Sequence, residues 1–396
     1  MAESFDVVVL GGGVIGASVA FHLTRLGCRR VLLLDRGQVA GGTTAQSSGI
    51  LRTYYSVRPN VAVAKAALAM FQGFKDLLDD EEAECGIVRT GYLAVAPDGP
   101  MATALRGTVA TQAELGVESR LITPQEAGAI HPWLRVDDLA VAAYEPEAGF
   151  ADPTMTANSF ARAARRGGAV IRQDTAATGL LRENGRITGV RTAAGDIAAD
   201  HVVSCLNVWS PLLAAWTGAE IPCVATRHIV ASFAADAPYT PAFPVLKDLG
   251  SALKLYSRSY GRTEILVGAG DEGDEIADPD GGTGDIPMDW VAEAGEQLAH
   301  RIPRFAEHGG FVRAWTGLYD TTPDWNPVLG PVPGLEGLSL AFGFSGHGFK
   351  LSPMIGRMLA QGALGLEPDL PLAPYRATRF AEGKPLTGAF GAGAVS

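Results

Sequence analysis

The stretch FDVVVLGGGVIGASVAFHLTRLGCRRVLLLD, Phe5 to Asp35, decides the fold. It opens with an apolar, valine-rich run of strand length, Phe5 to Leu10, and then changes period. After Gly11-Gly12-Gly13-Val14-Ile15-Gly16 the apolar residues recur at helical spacing as far as Leu26, and Gly27 supplies the stop. Val31 to Leu34 is a second apolar run, closed by Asp35. Strand, G-x-G-x-x-G, helix, strand and acid, with the acid about 20 residues beyond the glycines, is a dinucleotide-binding unit. Gly11 makes the tight turn, Gly13 lets a pyrophosphate approach the backbone, and Gly16 lets the helix lie against the strand. Val14 and Ile15 belong to the same contact, and Asp35 can accept hydrogen bonds from ribose hydroxyls. With 49 glycines in the chain, the triplet alone would say little. Its placement between a strand and a helix makes it specific.

The acid is followed by Arg36-Gly-Gln-Val-Ala-Gly-Gly42-Thr43-Thr44-Ala-Gln-Ser-Ser48-Gly49. NAD does not need a second cluster of glycine, serine and threonine here. A cofactor that runs on past its pyrophosphate does, as FAD would, with hydroxyl and N–H groups along the ribityl chain. The same composition is also that of a plain loop leading to the next helix.

A length of 396 residues exceeds what one core usually supports, so two domains are expected. The chain is 47% hydrophobic and carries a net charge of −11, which argues against a nucleic-acid or anionic-membrane surface. Any cationic site is therefore local. Cys28, Cys85, Cys205 and Cys223 are scattered without a C-x-x-C pair, the pattern of a reduced, cytoplasmic protein rather than of a disulfide framework or a zinc site. The N-terminal apolar run is broken by glycines and leads into His22 and Arg25, so it is not a membrane span. No Ser-His-Asp pattern, phosphate loop or metal-ligand spacing is found.

Near the C-terminus, Phe344-Ser345-Gly346-His347-Gly348-Phe349-Lys350 places a glycine-rich turn, one residue after Gly343, before apolar residues at helical spacing from Leu351. Together with residues 5–36, Gly41 to Tyr55 and Tyr319 to Gly330, this turn makes the chain resemble the D-amino-acid oxidase superfamily of flavoproteins. The most similar branch is that of sarcosine oxidases, dimethylglycine dehydrogenases and glycine oxidases. Glu145 to Pro153 and Val202 to Pro211 also sit where that family has them, so the match is co-linear from residue 5 to about 365. The resemblance implies an α/β fold, a Rossmann-like FAD-binding domain interleaved with a substrate domain on a large mixed β-sheet. Residues 1–80, 145–221 and 321–375 would form the first, and residues 81–144 and 222–320 the second. A tail, 376–396, would follow. The Pro-, Gly- and Ala-rich stretch after Leu370 reads as loosely ordered.

The resemblance also implies roles. The turn would press against the flavin, with a helix N-terminus favouring negative charge behind it. Lys350 would bind a substrate carboxylate, joined by Arg52, whose planar fork can grip both oxygens. Lys254 sits in an LKL context like that of the lysine that promotes reaction with O2, although Arg258 replaces the family's nearby histidine. A lysine on a strand surface is the alternative. Tyr319 would lie beside the substrate or be a buried core tyrosine. His347 orients the turn, and His228 either faces the active-site cavity or, the preferred reading, is a buried structural histidine. Gly317 stands where some relatives attach FAD through cysteine, and Ala45-Gln46 where others use histidine, so FAD is expected without a covalent link. Leu206-Asn207 replaces the usual Ala-Gly.

The implied reaction is oxidation of a small-molecule amine, an amino acid or N-methyl amino acid, by hydride transfer to flavin N5. The imine would hydrolyse, and O2 would be reduced to H2O2. A dehydrogenase or biosynthetic tailoring enzyme with a larger amine and another acceptor is the alternative, as is a subunit of a larger flavoenzyme complex. The oligomeric state is left open.

Overall fold

The computed structural model describes residues 3–389 other than 236–237, 240–241 and 282–283. The Phe5–Asp35 stretch folds as its pattern dictates, into strand Ser4–Leu10, helix Val14–Arg25 and strand Val31–Leu34. The two strands pair in parallel, from Val7 with Val31 to Leu10 with Leu34. They lie inside an eight-stranded sheet, flanked by Gly195–Ser204 on one side and Val170–Arg172 on the other. Because side chains alternate, Val7, Val9 and Leu33 enter the core on one face while Val8, Leu10, Leu32 and Leu34 enter the core on the other. A parallel sheet buried on both sides explains the near-continuous apolar runs.

Helix Val14–Arg25 packs against helices Pro153–Arg166 and Gly348–Ala363. A Cβ on Gly356 would meet Ser18 Oγ at 2.1 Å, so the last helix crosses the first where only a hydrogen fits. This close crossing joins the C-terminal turn to the N-terminal dinucleotide motif.

A second, nine-stranded mixed sheet takes its strands from 92–145 and 224–321. It is mixed because Val245–Asp248 runs parallel to Tyr92–Ala96 while its other neighbours are antiparallel. The architecture is therefore α/β with a large mixed sheet, as expected. Register puts chosen side chains on one face, since directly paired residues share a face. Val230 pairs with Gly268, Gly268 with Tyr256, Tyr256 with Lys247 and Lys247 with Ala94, one row across the sheet. Thr226 and His228, four and two residues before Val230, pair with Tyr319 and Gly317 and continue that face. It roofs the cleft described below. The opposite face buries Leu93, Leu246, Ile265 and Val267 against helix Met288–Arg301.

The segment after Leu370 differs from its loose reading. Tyr375 is buried and donates to Asn60 Oδ1 at 3.0 Å. Arg379 is fully buried, and its Nε and Nη2 each donate to an Asp324 carboxylate oxygen at 2.8 Å. Proline and glycine suppress helix and strand in this segment, but they do not prevent a buried ion pair from fastening it. Residues 390–396 of the expected tail lie outside the described residues.

Candidate active site

Two cavities meet along the C-terminal edge of the first sheet. The outer, of about 770 Å³, runs past Leu34, Asp35, Arg36, Gly42 and Trp209. The inner is a cleft of about 100 Å³ bordered by Ile15, Gly16, Ser48, His228, Tyr256, Tyr319 and Gly346. They share Gly13, Thr43, Thr44, Gln46, Cys205 and Asn207, so together they form one elongated groove.

Its glycine-rich floor is built by close approach. Gly11 has φ +99°, and a Cβ there would lie 2.5 Å from Cys205 O. A Cβ on Gly16 would lie 1.9 Å from Gly11 O. Thr44 Oγ1 accepts from Val14 N at 3.0 Å, tying the 3₁₀ turn Thr43–Gln46 to the helix start. Asp35 accepts from Gly12 N at 2.6 Å and Gly37 N at 2.7 Å, so it braces the turn while bordering the outer cavity. Arg36 also borders that cavity. Its guanidinium, however, donates to both Asp280 oxygens at 2.6 and 2.8 Å and lies 4.1 Å over the Trp209 ring. Trp209 Nε1 donates to Asp280 as well, at 3.0 Å. These three side chains form a clasp on the outer rim.

Ser48 and Gly49 carry the chain under the roof. Ser48 O accepts from Arg258 Nε at 2.6 Å, and Gly49 has φ +71° with Ala151 O where a Cβ would be. Gly317 borders the inner cleft, and Leu318 N donates to Gln46 Oε1 at 2.9 Å.

The C-terminal turn closes the inner end. Gly343, Ser345 and Gly346 have φ of +75°, +47° and +83°. A Cβ on Gly346 would lie 2.5 Å from the Tyr319 ring. Asp320 clamps the turn: Oδ2 accepts from Gly343 N at 2.7 Å and its carbonyl from Ser345 N at 3.1 Å. Burial pushes the Asp320 carboxyl up to about 7 despite these donors. The last helix begins at Gly348, three residues before the apolar periodicity marks it, so Phe349 and Lys350 lie in its first turn.

Lys350 and Arg52 are both buried. Lys350 Nζ donates to Gly346 O at 3.3 Å, and burial together with the nearby Arg52 holds its pKa well below the usual lysine range. The Arg52 guanidinium donates to Tyr54 O and lies 4.6 Å over the Tyr55 ring and 5.6 Å from that of Tyr92. His347 Nδ1 hydrogen-bonds Tyr55 OH at 2.8 Å. Burial and the charges of Lys350, Arg52 and Lys247 hold this histidine neutral. Glu145, the carboxylate beside Arg52, accepts from Thr53 N at 2.7 Å and Thr53 Oγ1 at 2.6 Å. Tertiary structure thus brings Arg52 and Lys350, far apart in sequence, into one buried cluster.

Tyr319 stacks on His228 with centroids 3.8 Å apart and borders the inner cleft together with Tyr256 and Ser48. His228, read as structural, therefore lines the cleft. Lys254 is not on a strand: it sits half-buried with φ +46° in the turn before Tyr256–Tyr260. Its carbonyl accepts from Lys247 Nζ at 2.7 Å. Lys247 and Tyr256 were missed by sequence reasoning. For Lys247 the signal was faint, a lysine next to Asp248 at the end of an apolar run, which only the register turns into a position under the roof.

The groove fits a flavin dinucleotide. Its floor admits close approach at Gly11 and Gly13, a helix N-terminus opens onto each end, and the buried Asn207 Oδ1 lacks a protein partner. Asn207 occupies the left-handed region at φ +50°, which suits the glycine that the resemblance leads one to expect there and which asparagine tolerates. Among the described residues no group of three or more His, Cys, Asp or Glu could hold a metal ion, and no helix is long and apolar enough to cross a membrane.

The family model of FAD-dependent oxidoreductases, DAO, matches residues 6–362. The chain belongs to the DAO family of FAD-dependent oxidoreductases. It is 28% identical over 391 residues to mitochondrial sarcosine dehydrogenase of Mus musculus, covering 96% of this chain but 42% of that protein. The chain thus spans less than half of that relative's length. It is 28% identical over 405 residues to sarcosine oxidase subunit beta of an Arthrobacter species, covering 100% of this chain and 95% of that one. Among solved structures, L-proline dehydrogenase from P. horikoshii superposes with a TM-score of 0.87 at 28% identity, covering 97% of this chain and 100% of that chain. FAD is the cofactor of this DAO-family enzyme.

Proposed function

We propose that this chain oxidises an amine that carries a carboxylate, an amino acid or N-methyl amino acid. The observation that carries this reading is the buried pair Arg52 and Lys350, with Lys350 Nζ donating to Gly346 O in the turn that borders the inner cleft. When bound, FAD supplies the two-electron acceptor. Gly11, Gly13, Val14, Ile15, Gly16 and Asp35 would hold its dinucleotide half. Thr43, Thr44, Ser48, Gly49 and Gly317 would hold its middle, and residues 343–349 its ring. No cysteine or histidine stands at the two attachment positions, so FAD would be held without a covalent bond. The names of the relatives, which act on sarcosine and proline, support the same substrate class.

Arg52 and Lys350 would fix the carboxylate and so position the reacting carbon. Two cations near the amine lower its pKa and favour its neutral, reactive form. Tyr319, stacked on His228 and bordering the cleft with Tyr256, would form a wall beside the substrate, and the sheet roof would exclude water. His347, held neutral, would orient Tyr55 rather than move a proton.

O2, reduced to H2O2, is the acceptor we propose. The placement of Lys254, whose carbonyl rather than side chain is engaged near the cluster, favours a dehydrogenase with another acceptor as the second reading. The test is anaerobic addition of N-methyl, cyclic and primary amino acids to the yellow protein. Bleaching of the visible bands supports amine oxidation; peroxide on admitting air separates oxidase from dehydrogenase. If no amino acid of the panel bleaches the bands, the reading fails.

A further inference from the structure

Lys247 has no part in the two-cation clamp, yet the fold places it against that clamp. In register it stands between Tyr256, which lines the inner cleft, and Ala94. On the same face, one pair away, the Tyr92 ring faces the Arg52 guanidinium at 5.6 Å. Lys247 is 4% exposed, and its Nζ donates to the Lys254 carbonyl at 2.7 Å. An ammonium has three donors, so that carbonyl satisfies one of them. Only a glycine fits beside that ammonium. A Cβ on Gly270 would lie 2.2 Å from Lys247 Nζ.

The charges do not balance. Among the described residues, Arg52, Lys247 and Lys350 are buried together and the buried carboxylate beside them is Glu145, so with all four groups ionised the cations exceed the anions by two. Of the other acids near Lys247, one is already paired and the other is half-exposed. Asp248 holds Arg301 at 2.8 Å, and the half-exposed Asp271 lies 3.6 Å from His228 Nδ1. An unpaired buried charge is costly, so such a surplus is a demand for an anionic ligand. One substrate carboxylate meets half of it.

We propose that Lys247 is a second carboxylate contact, and that the substrate class is an amine carrying two carboxylates, one held by Arg52 and Lys350 and the other by Lys247. This rests on the carboxylate-clamp reading above and narrows it. Without ligand, burial, Arg52 and Lys254 bring the Lys247 ammonium down to about 7, so the surplus is relieved by loss of protons. Binding of a dianion restores them.

The test uses the FAD-loaded protein and two thioethers, methylthioacetate and thiodiacetate. In both, sulfur replaces the amine nitrogen, so no imine can form, and they differ in the second carboxylate alone. Binding is read from the shift of the flavin bands. Thiodiacetate should bind at least about ten-fold more tightly than methylthioacetate, the effect of one charge-assisted contact. In Lys247→Met that ratio should fall to about one, with methylthioacetate affinity changed less than about three-fold. Gly270→Ala, which keeps the lysine but fills its space, should reduce the ratio in the same direction. Calorimetry in two buffers of different ionisation enthalpy should show proton uptake with thiodiacetate that Lys247→Met loses. Lys350→Met reports on the clamp by itself and should weaken both analogues. Equal affinity for the two analogues, or a ratio unchanged in a yellow, folded Lys247→Met protein, overturns the second contact while leaving the clamp standing. Failure of both analogues to shift the bands, or indifference of both to Lys350→Met, overturns the clamp and this inference with it.

Discussion

Replacing Arg379 with methionine tests whether the C-terminal segment supports the site or merely trails it. Arg379 and Asp324 are 0% and 3% exposed, and two N–H···O bonds of 2.8 Å join them. Arg379 also donates to the carbonyls of Asn326 and Pro327, and Asp324 accepts from Leu386 N at 2.9 Å. Methionine keeps much of the apolar stem but leaves the Asp324 carboxylate buried without its cation. Breaking a buried pair in this way costs about 3–5 kcal/mol, because one charge stays desolvated and unpaired. Removing both charges, in Arg379→Met with Asp324→Asn, should recover about 1–3 kcal/mol of the summed single losses. The assay is equilibrium urea unfolding at a fixed FAD concentration, since bound ligand shifts apparent stability. Tryptophan fluorescence and far-ultraviolet circular dichroism should give coincident transitions. Flavin absorbance should follow them, because Thr322, two residues before Asp324, donates from its N–H to Ser345 Oγ at 3.4 Å, in the turn that we propose holds the flavin ring. A single-variant loss below about 1 kcal/mol, as for exposed pairs, or strict additivity in the double variant, would refute the reasoning.

Three further outcomes are expected. Gly346→Ala must adopt φ +83° and push a methyl to within 2.5 Å of the Tyr319 ring. The conformation alone costs about 1–2 kcal/mol, so FAD affinity measured by flavin fluorescence quenching should fall at least about ten-fold. In the ligand-free protein, Lys247 is neutral in the folded state above about 7 but stays protonated when unfolded until near 10.5. The unfolded state therefore binds more protons in that window, and this group's contribution makes stability rise with pH there, by up to about 1.4 kcal/mol per unit. Urea midpoints at pH 7 and pH 9 should show the rise relative to Lys247→Met, and parallel pH dependence in the two proteins would refute it. Arg36→Ala should change stability by less than about 1 kcal/mol, since its pair with Asp280 is exposed. It should nevertheless speed FAD release in stopped-flow displacement, because Trp209 and Asp280 lose the side chain that joins them across the outer rim.

Much of the groove was legible because local steric demands leave marks in sequence. Gly11, Gly16, Gly343 and Gly346 each stand where a Cβ would strike backbone, a ring or, at Gly343, the buried Thr322 side chain, and such positions show as glycine whatever surrounds them. The parallel core strands were legible for the same reason: burial on both faces requires apolar residues without interruption. Lys254 shows the opposite case. Its LKL context looked like a strand, but the chain turns there in the left-handed region, and the buried lysine of the neighbourhood is seven residues earlier.

By itself, then, the sequence determined the dinucleotide unit, which rests on the spacing within one strand–turn–helix–strand segment, while the α/β fold, FAD and the family rested on a resemblance carried by several stretches co-linear from residue 5 to about 365. Only the tertiary structure decided which charges share a site. Arg52 lies after the first sheet's opening unit, Lys247 on the second sheet, and Lys350 on the last helix. Their proximity arises from the crossing of the last helix over the first at Ser18 and Gly356 and from the register that sets Lys247 between Ala94 and Tyr256. A charge cluster is a sum over residues distant in the chain, and packing alone carries it out.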